Sequence, residues 1–434
     1  MASEIETLPS QAENTGPWSN STGKLILSLL VFLFFIRGLS TVLLYSLMPK
    51  LKNLFHLSYA EAMLGQLSFF LGYFIFSLPA AFFVRRLGYL RAIILGLSIL
   101  IAGCLALAPL TLLALYPGFL LALFVLAAGI TLLQVADNPL IAQLGDPAHS
   151  SSRLTLAQGF NSLGTTVAPL VAAWLVFNPT LTPPGKRPPH SGISFNDLAE
   201  IQSPFVIIAS VLAVLAIIFW LYRGFPLPQR VTRRRDVSDQ LRLLRSKRFF
   251  FGAVAIFLYV GAEVTVGSML SSYLIEAQVL SISTQRAAEL LSLYWGGAMF
   301  GRFIGAGALR VVPGGTALAA CGAVAAFSTL LSLSTGGFIA AATIIAVGLF
   351  NSIMFPTIFA LALQGLGDAT PEGSGLLCMA IVGGAVVPEI AGLVADAHGL
   401  PLALLIPAAC YVWITFYGLY VRHDRLNHQT ISAN

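Results

Sequence analysis

Arg223-Gly-Phe-Pro-Leu-Pro-Gln-Arg230-Val-Thr-Arg233-Arg234-Arg235-Asp236-Val-Ser-Asp239-Gln-Leu-Arg242-Leu-Leu-Arg245-Ser-Lys247-Arg248 is the stretch on which the fold turns. Nine of the chain's 24 Lys and Arg residues fall in this one polar interval, near the middle of 434 residues. Long apolar runs lie on both sides of it. The whole sequence is 57% hydrophobic and only 10% charged, against about 25% charged in soluble domains. A water-soluble fold of this size has nowhere to hide so much apolar surface, so lipid must be the solvent.

A helix needs ~20 apolar residues to cross the hydrocarbon core. Six such runs precede the basic interval, with cores at residues 25–48, 63–84, 92–110, 115–140, 154–176 and 205–221. Six follow it, at 249–275, 288–309, 316–333, 338–363, 375–394 and 401–421. The reading is therefore an all-α membrane protein of twelve transmembrane helices in two six-helix halves. Its parts are a tail (1–23), a first half (24–222), the basic linker (223–248), a second half (249–421) and a second tail (422–434).

Charge sets the orientation. Arg85, Arg86 and Arg91 lie between the second and third spans, Arg153 between the fourth and fifth, Arg310 between the eighth and ninth, and Arg422 and Arg425 after the last. With an even number of spans, these share one side with the linker. The other side keeps Lys50, Lys52, Lys186, Arg187 and Arg286. Positive-inside bias puts the linker and both termini in the cytoplasm. The net charge of +6 sits where topology rules put it, which argues against nucleic acid as a partner. The polar first 23 residues do not read as a signal peptide. The linker from Asp236 to Lys247 reads either as a short amphipathic helix on the membrane surface or as a solvated charge run. Residues 178–189, rich in Pro, read as a loop on the outer side.

The halves echo each other. Gly72 and Pro79 precede Arg85, Arg86 and Gly88 in the first; Gly296, Gly301 and Arg302 precede Arg310 and Gly314 in the second. Leu144-Gly145-Asp146 after the fourth span is matched by Leu366-Gly367-Asp368 after the tenth, with Pro139 and Pro356 upstream. Two such repeats around a central cavity form a transporter architecture with binding at the midplane.

Longer motifs carry a resemblance. Gly129-Ile-Thr-Leu-Leu-Gln134-Val-Ala-Asp137-Asn138-Pro139 and Ser151-Ser-Arg153-Leu-Thr-Leu-Ala-Gln158-Gly-Phe-Asn161-Ser-Leu-Gly-Thr-Thr166 stand in the first half. Tyr259-Val-Gly-Ala-Glu263-Val-Thr-Val-Gly267, Phe300-Gly-Arg302-Phe-Ile-Gly305, Phe355-Pro356-Thr-Ile-Phe359 and Val382-Gly-Gly384 stand in the second. In this order they resemble the fucose and glucose/galactose permease family of the major facilitator superfamily. The resemblance implies a rocker-switch carrier coupling sugar entry to proton entry, in a bacterial inner membrane, with no cofactor and a single chain as the unit. The first span departs from it. Such permeases usually carry Trp-Gly near its middle and Asn-Asp before the helix-ending Pro, the Asp being implicated in proton coupling. Arg37-Gly38 and Leu44-Tyr45, before Pro49, stand there instead. Asp137 stands where Ala is expected, and Glu389 where an apolar residue is.

Charges inside a span cost at least ~2.5–3.5 kcal/mol, so each needs a reason. Glu263 is read as a cavity-facing acid for sugar hydroxyls or a proton; a structural carboxylate held by Thr265 is the other reading. Gln134 and Asn138 share one helix face, as do Gln158 and Asn161. Amides donate and accept, which suits sugar hydroxyls, although interhelical packing uses them too. Asn351 joins this set. Arg37 is expected to be balanced by Asp137, with an anionic substrate group as the other candidate partner. Arg302 is read as a gating or snorkelling residue, and Glu389 as either a second coupling site or a structural acid. Asp137 is a further proton-coupling candidate, and Tyr294 and Trp295 are candidates to stack on a sugar ring.

A secondary sugar carrier is thus the leading reading, with proton, sugar and lipid as partners. A carrier for an anionic or amphipathic metabolite and an uncoupled sugar uniporter are the alternatives. No P-loop is present and all six histidines lie in polar intervals or tails, which argues against an enzyme or an ATP-driven pump. The four cysteines sit in apolar runs and read as core packing.

Overall fold

A computed structural model of the chain describes residues 21–46, 59–112, 116–177, 195–225 and 237–432. Twelve long helical segments account for nearly all of them. The first half holds α1 (Ser21–Ser46), α2 (Tyr59–Leu87), α3 (Tyr89–Leu112), α4 (Tyr116–Gln143), α5 (Ser150–Phe177) and α6 (Phe195–Leu221). The second holds α7 (Lys247–Ile275), α8 (Thr284–Ala308), α9 (Gly314–Ser334), α10 (Gly337–Asn351 continued by Met354–Leu363), α11 (Thr370–Met379 continued by Gly383–His398) and α12 (Leu405–Ser432). The 422–434 tail is therefore helical as far as Ser432, an extension of α12 that apolar content alone does not signal. The part of the linker within the described residues carries a six-residue helix, Val237–Arg242, and a 3-10 turn, Leu243–Arg245. Tail residues 1–20, loop residues 47–58 with Pro49, Lys50 and Lys52, residues 178–194 with Lys186 and Arg187, and linker residues 226–236 lie outside the described residues.

Among the described residues, nine segments are long and apolar enough to cross a membrane on length and composition alone. α5 and α8 are not among them, since polar residues interrupt their apolar runs, and α6 contributes a shorter apolar stretch, Phe205–Leu221. Lipid-facing positions are bare apolar surface: Leu170, Phe300, Ile304 and Leu393 are 63–71% exposed.

Packing repeats with the sequence. α1 lies on α5, α2 on α4, and α3 on both α4 and α6. Six helices later, α7 lies on α11, α8 on α10, and α9 on α10 and α12. The halves meet along α2–α11 and α5–α8, two seams that the same six-helix shift exchanges. Glycine makes the tightest of these approaches. A Cβ on Gly38 would collide with the Asn161 carbonyl, one on Gly164 with the Phe35 carbonyl, and in the second half one on Gly383 with the Phe257 carbonyl.

The turns repeat as well. Gly145 and Gly367 both adopt positive φ, 86° and 51°, as only glycine does without strain. Gly145 precedes, and Gly367 opens, a 3-10 turn, Pro147–His149 or Gly367–Ala369, ahead of α5 or α11. Asp146 caps the first turn by accepting from the Ala148 amide at 2.9 Å. That bond, aided by His149 and Arg153, holds the Asp146 carboxyl below its ordinary pKa. Arg153 in turn donates to the carbonyls of Ala142 and Asp146, closing the exposed end of α4.

Candidate substrate site between the halves

A cavity of about 190 Å³ lies between the halves, with walls from α1, α2, α4 and α5 on one side and α7, α8, α10 and α11 on the other. It is smaller than the roughly 300–1,000 Å³ of drug-sized pockets, which restricts it to a small solute. Three polar bonds between the halves lie on its linker side. Arg85 near the end of α2 meets Glu372 at the start of α11 at 2.6 Å. The Ser374 hydroxyl donates to the Val135 carbonyl and the Ser152 hydroxyl to the Ala306 carbonyl. The cavity floor is thus sealed toward the linker.

In the first half, α1 and α5 are drawn together by Gly38 and Gly164, which brings Arg37, Thr41, Gln158, Asn161 and Thr165 to one wall. Gln134 joins them from α4 and Tyr73 from α2. Each amide is anchored at one end. Tyr73 donates to Gln134 Oε1 at 2.7 Å, Gln158 Nε2 donates to Asn138 Oδ1 at 3.3 Å, and Asn161 Nδ2 donates to the Phe34 carbonyl at 2.9 Å. Behind the wall, Arg37 Nη1 donates to both carboxylate oxygens of Asp137, at 2.7 and 2.8 Å. Asp137 is fully buried, and Arg37 is 4% exposed.

In the second half, Glu263 from the middle of α7 faces the cavity beside Tyr259 and Arg302. Arg302 Nη2 stands 3.7 Å from Glu263 Oε1. Arg302 Nη1 donates to the Ser162 hydroxyl across the seam, and Nε to the Ser352 carbonyl at 3.3 Å. The arrangement is a wall of partly engaged amides opposite an acid held by a guanidinium, with apolar Ile130, Val260, Phe355 and Ile381 between them. Such a lining offers hydrogen bonds in both directions without a large net charge.

The placement departs from the sequence reading at several residues. Arg302 does not snorkel out of the bundle; its three nitrogens find partners inward, on α5, α7 and α10. Asn138 is fully buried behind Gln158, and its Nδ2 has no partner among the described residues. Asn351 is also fully buried and donates to the Tyr294 hydroxyl at 2.9 Å, away from the cavity lining. Tyr294 is buried with it, and Trp295 packs on Gly267 rather than into the cavity. Glu389 is exposed on the second part of α11, outside the cavity lining. Thr265 donates to the Gly261 carbonyl, its own helix, and not to Glu263. The side chain of Tyr45 lies outside the described residues. Tyr73, Thr41 and Thr165 line the cavity without having been singled out. Tyr73 carried a signal, a hydroxyl one turn from Ser77 within the apolar stretch 69–84 of α2.

Comparison with known proteins agrees with this architecture. The Major Facilitator Superfamily model matches residues 30–388. The chain is 46% identical over 396 residues to the glucose/galactose transporter of Brucella abortus, covering 91% of this chain and 93% of that one. It is 31% identical over 405 residues to the L-fucose-proton symporter of Escherichia coli, covering 91% and 92%. Among solved structures it resembles FucP, a Major Facilitator Superfamily transporter in the outward conformation, with a TM-score of 0.83, 31% identity and coverage of 92% and 98%.

Proposed function

The chain belongs to the Major Facilitator Superfamily, and from that premise we propose that it carries a hexose through the central cavity by alternating access, in symport with a proton. One observation carries the reading: three amides from α4 and α5 and the Glu263 carboxylate converge, from opposite halves, on a space that admits only a small solute. A hydroxyl-rich ring needs donors and acceptors at once, and amides supply both. The named relatives carry glucose, galactose or fucose. Gln134, Gln158 and Asn161 contact the sugar from the first half, and Glu263 contacts it from the second. Glu263 also takes the coupled proton.

The seal on the linker side and the likeness to a carrier in the outward conformation support an outward-facing state, in which the cavity loads from outside. Rocking about the α2–α11 and α5–α8 seams then opens the floor. The linker and both termini face the cytoplasm of a bacterial cell, the carrier sits in the inner membrane, and one chain is a complete transport unit. In proteoliposomes, labelled D-glucose, D-galactose or L-fucose is expected to accumulate when the outside is acidified and to equilibrate when a protonophore is added. Absence of uptake for all three sugars would overturn the proposal.

A further inference from the structure

Two guanidinium groups line the cavity, and their bonding differs. Arg302 engages all three nitrogens: Nε on the Ser352 carbonyl, Nη1 on Ser162 and Nη2 toward Glu263. Arg37 engages one. Both of its hydrogen bonds leave Nη1 for Asp137, while the Phe34 ring lies against the group with its centroid 4.4 Å away. Among the described residues, Nε and Nη2 have no hydrogen-bond partner. Arg37 is almost wholly buried and is part of the cavity wall, so the cavity is where these donors can be satisfied. A buried charged group with unmade hydrogen bonds is costly to keep.

The amide anchoring sharpens the contrast. Gln158 and Asn161 each spend one amide N–H, on Asn138 and on the Phe34 carbonyl, and their oxygens have no hydrogen-bond partner among the described residues. Glu263 adds further acceptors. The donors still open are Gln134 Nε2, whose oxygen is taken by Tyr73, the second amide N–H of Gln158 and of Asn161, and the unused edge of Arg37, which presents two adjacent charged nitrogens. Hydroxyl oxygens of a sugar need such donors. We propose that the Nε–Nη2 edge of Arg37 is a substrate-binding group that donates to two adjacent hydroxyl oxygens of the hexose. Asp137 is its positioning residue, fixing the planar fork and cancelling its charge. This assignment rests on the reading of the cavity as a hexose site. Neutralisation by Asp137, with Glu263 opposite, favours neutral hydroxyls over a carboxylate as the ligand.

The test uses the purified full chain, two variants, and calorimetric binding of D-glucose and its 2-, 3-, 4- and 6-deoxy analogues. Arg37→Lys keeps a cation for Asp137 but loses the fork; Arg37→Gln with Asp137→Asn replaces the ion pair by an amide pair, should the lysine variant not fold. In the wild type, removing either of two neighbouring hydroxyls should weaken binding about tenfold or more, as for hydrogen bonds to a charged donor. In either folded variant, glucose itself should bind about tenfold more weakly, and those same two deoxy sugars should bind as well as glucose does. A variant that melts near the wild type and keeps the wild-type deoxy pattern overturns the assignment while leaving the hexose reading intact. A wild type that binds no glucose, galactose or fucose overturns both. D-Glucuronate binding more tightly than glucose, with the preference lost in Arg37→Lys, would replace the hydroxyl pair by a carboxylate.

Discussion

Arg85 and Glu372, 287 residues apart, join α2 to α11 through a 2.6 Å ion pair on the linker side of the cavity. Glu372 is 1% exposed and Arg85 13%, so the bond is largely shielded from water, and opening the floor must break it. Replacing Glu372 by Gln keeps the shape and removes the charge. The sealed state should lose about 1.5–3 kcal/mol, the worth of a hydrogen bond to a charged group, and the open-floor state should be populated at least tenfold more often. Cys378, one turn after Ser374 on α11 and fully buried, is a native reporter. Its labelling by an impermeant maleimide applied from the linker side should accelerate by about that factor. An unchanged rate would mean that the pair does not hold the floor.

The Arg37–Asp137 pair predicts a stability cycle. Arg37→Leu strands a buried carboxylate and should cost about 3–5 kcal/mol, as should Asp137→Asn or →Leu through the stranded guanidinium, the asparagine less. Removing both partners should cost much less than the sum of the single losses. Thermal unfolding in detergent reads the cycle directly. A double variant as poor as the sum of the two single losses would show that the charges are held by something other than each other.

How much of this could be read beforehand depends on range. The twelve spans and their pairing into halves are written in local hydropathy, Arg placement and the Leu-Gly-Asp repeats, and α5 and α8 were legible as spans although their polar residues dilute the signal. Gln134, Gln158, Asn161 and Glu263 stood out because a polar side chain inside an apolar run needs a partner. What a run of sequence does not encode is which way that side chain turns. Asn138 and Asn351 obey the same rule by pairing with Gln158 and Tyr294 inside the walls. Arg302, only two turns from the end of α8, left gating and snorkelling both open, and its partners come from α5, α7 and α10. Arg85 was counted as a positive-inside charge, and its bond to Glu372 depends on a seam between halves that no local pattern reveals.

Gln158 is anchored to Asn138 through Nε2 and lines the cavity. Gln158→Ala should therefore weaken sugar binding by about 1 kcal/mol or more, roughly fivefold, with a change in unfolding temperature smaller than that of Arg37→Leu. Equilibrium binding of the transported hexose checks it. An unchanged affinity would assign Gln158 to packing between α4 and α5.

Proton coupling should run through Glu263. The first span has Tyr45 where the family resemblance implies an acid, and Glu389 lies outside the cavity. Glu263 is the carboxylate that lines the cavity, and its partner Arg302 bridges to α5 and so touches both halves. An ionised Glu263 would have to keep Arg302 or water beside it as the walls close, since an isolated buried carboxylate is heavily penalised. A proton on Glu263 removes that requirement, so the loaded carrier closes and crosses with its proton. Glu263→Gln fixes the neutral form. Exchange of labelled for unlabelled sugar across proteoliposomes should persist, because it needs no net proton movement. Accumulation driven by a pH gradient should fall to the equilibrium level, and the pH dependence of exchange should flatten. A Gln variant that still concentrates sugar against a gradient would move the coupling to Asp137, where protonation would loosen Arg37 instead.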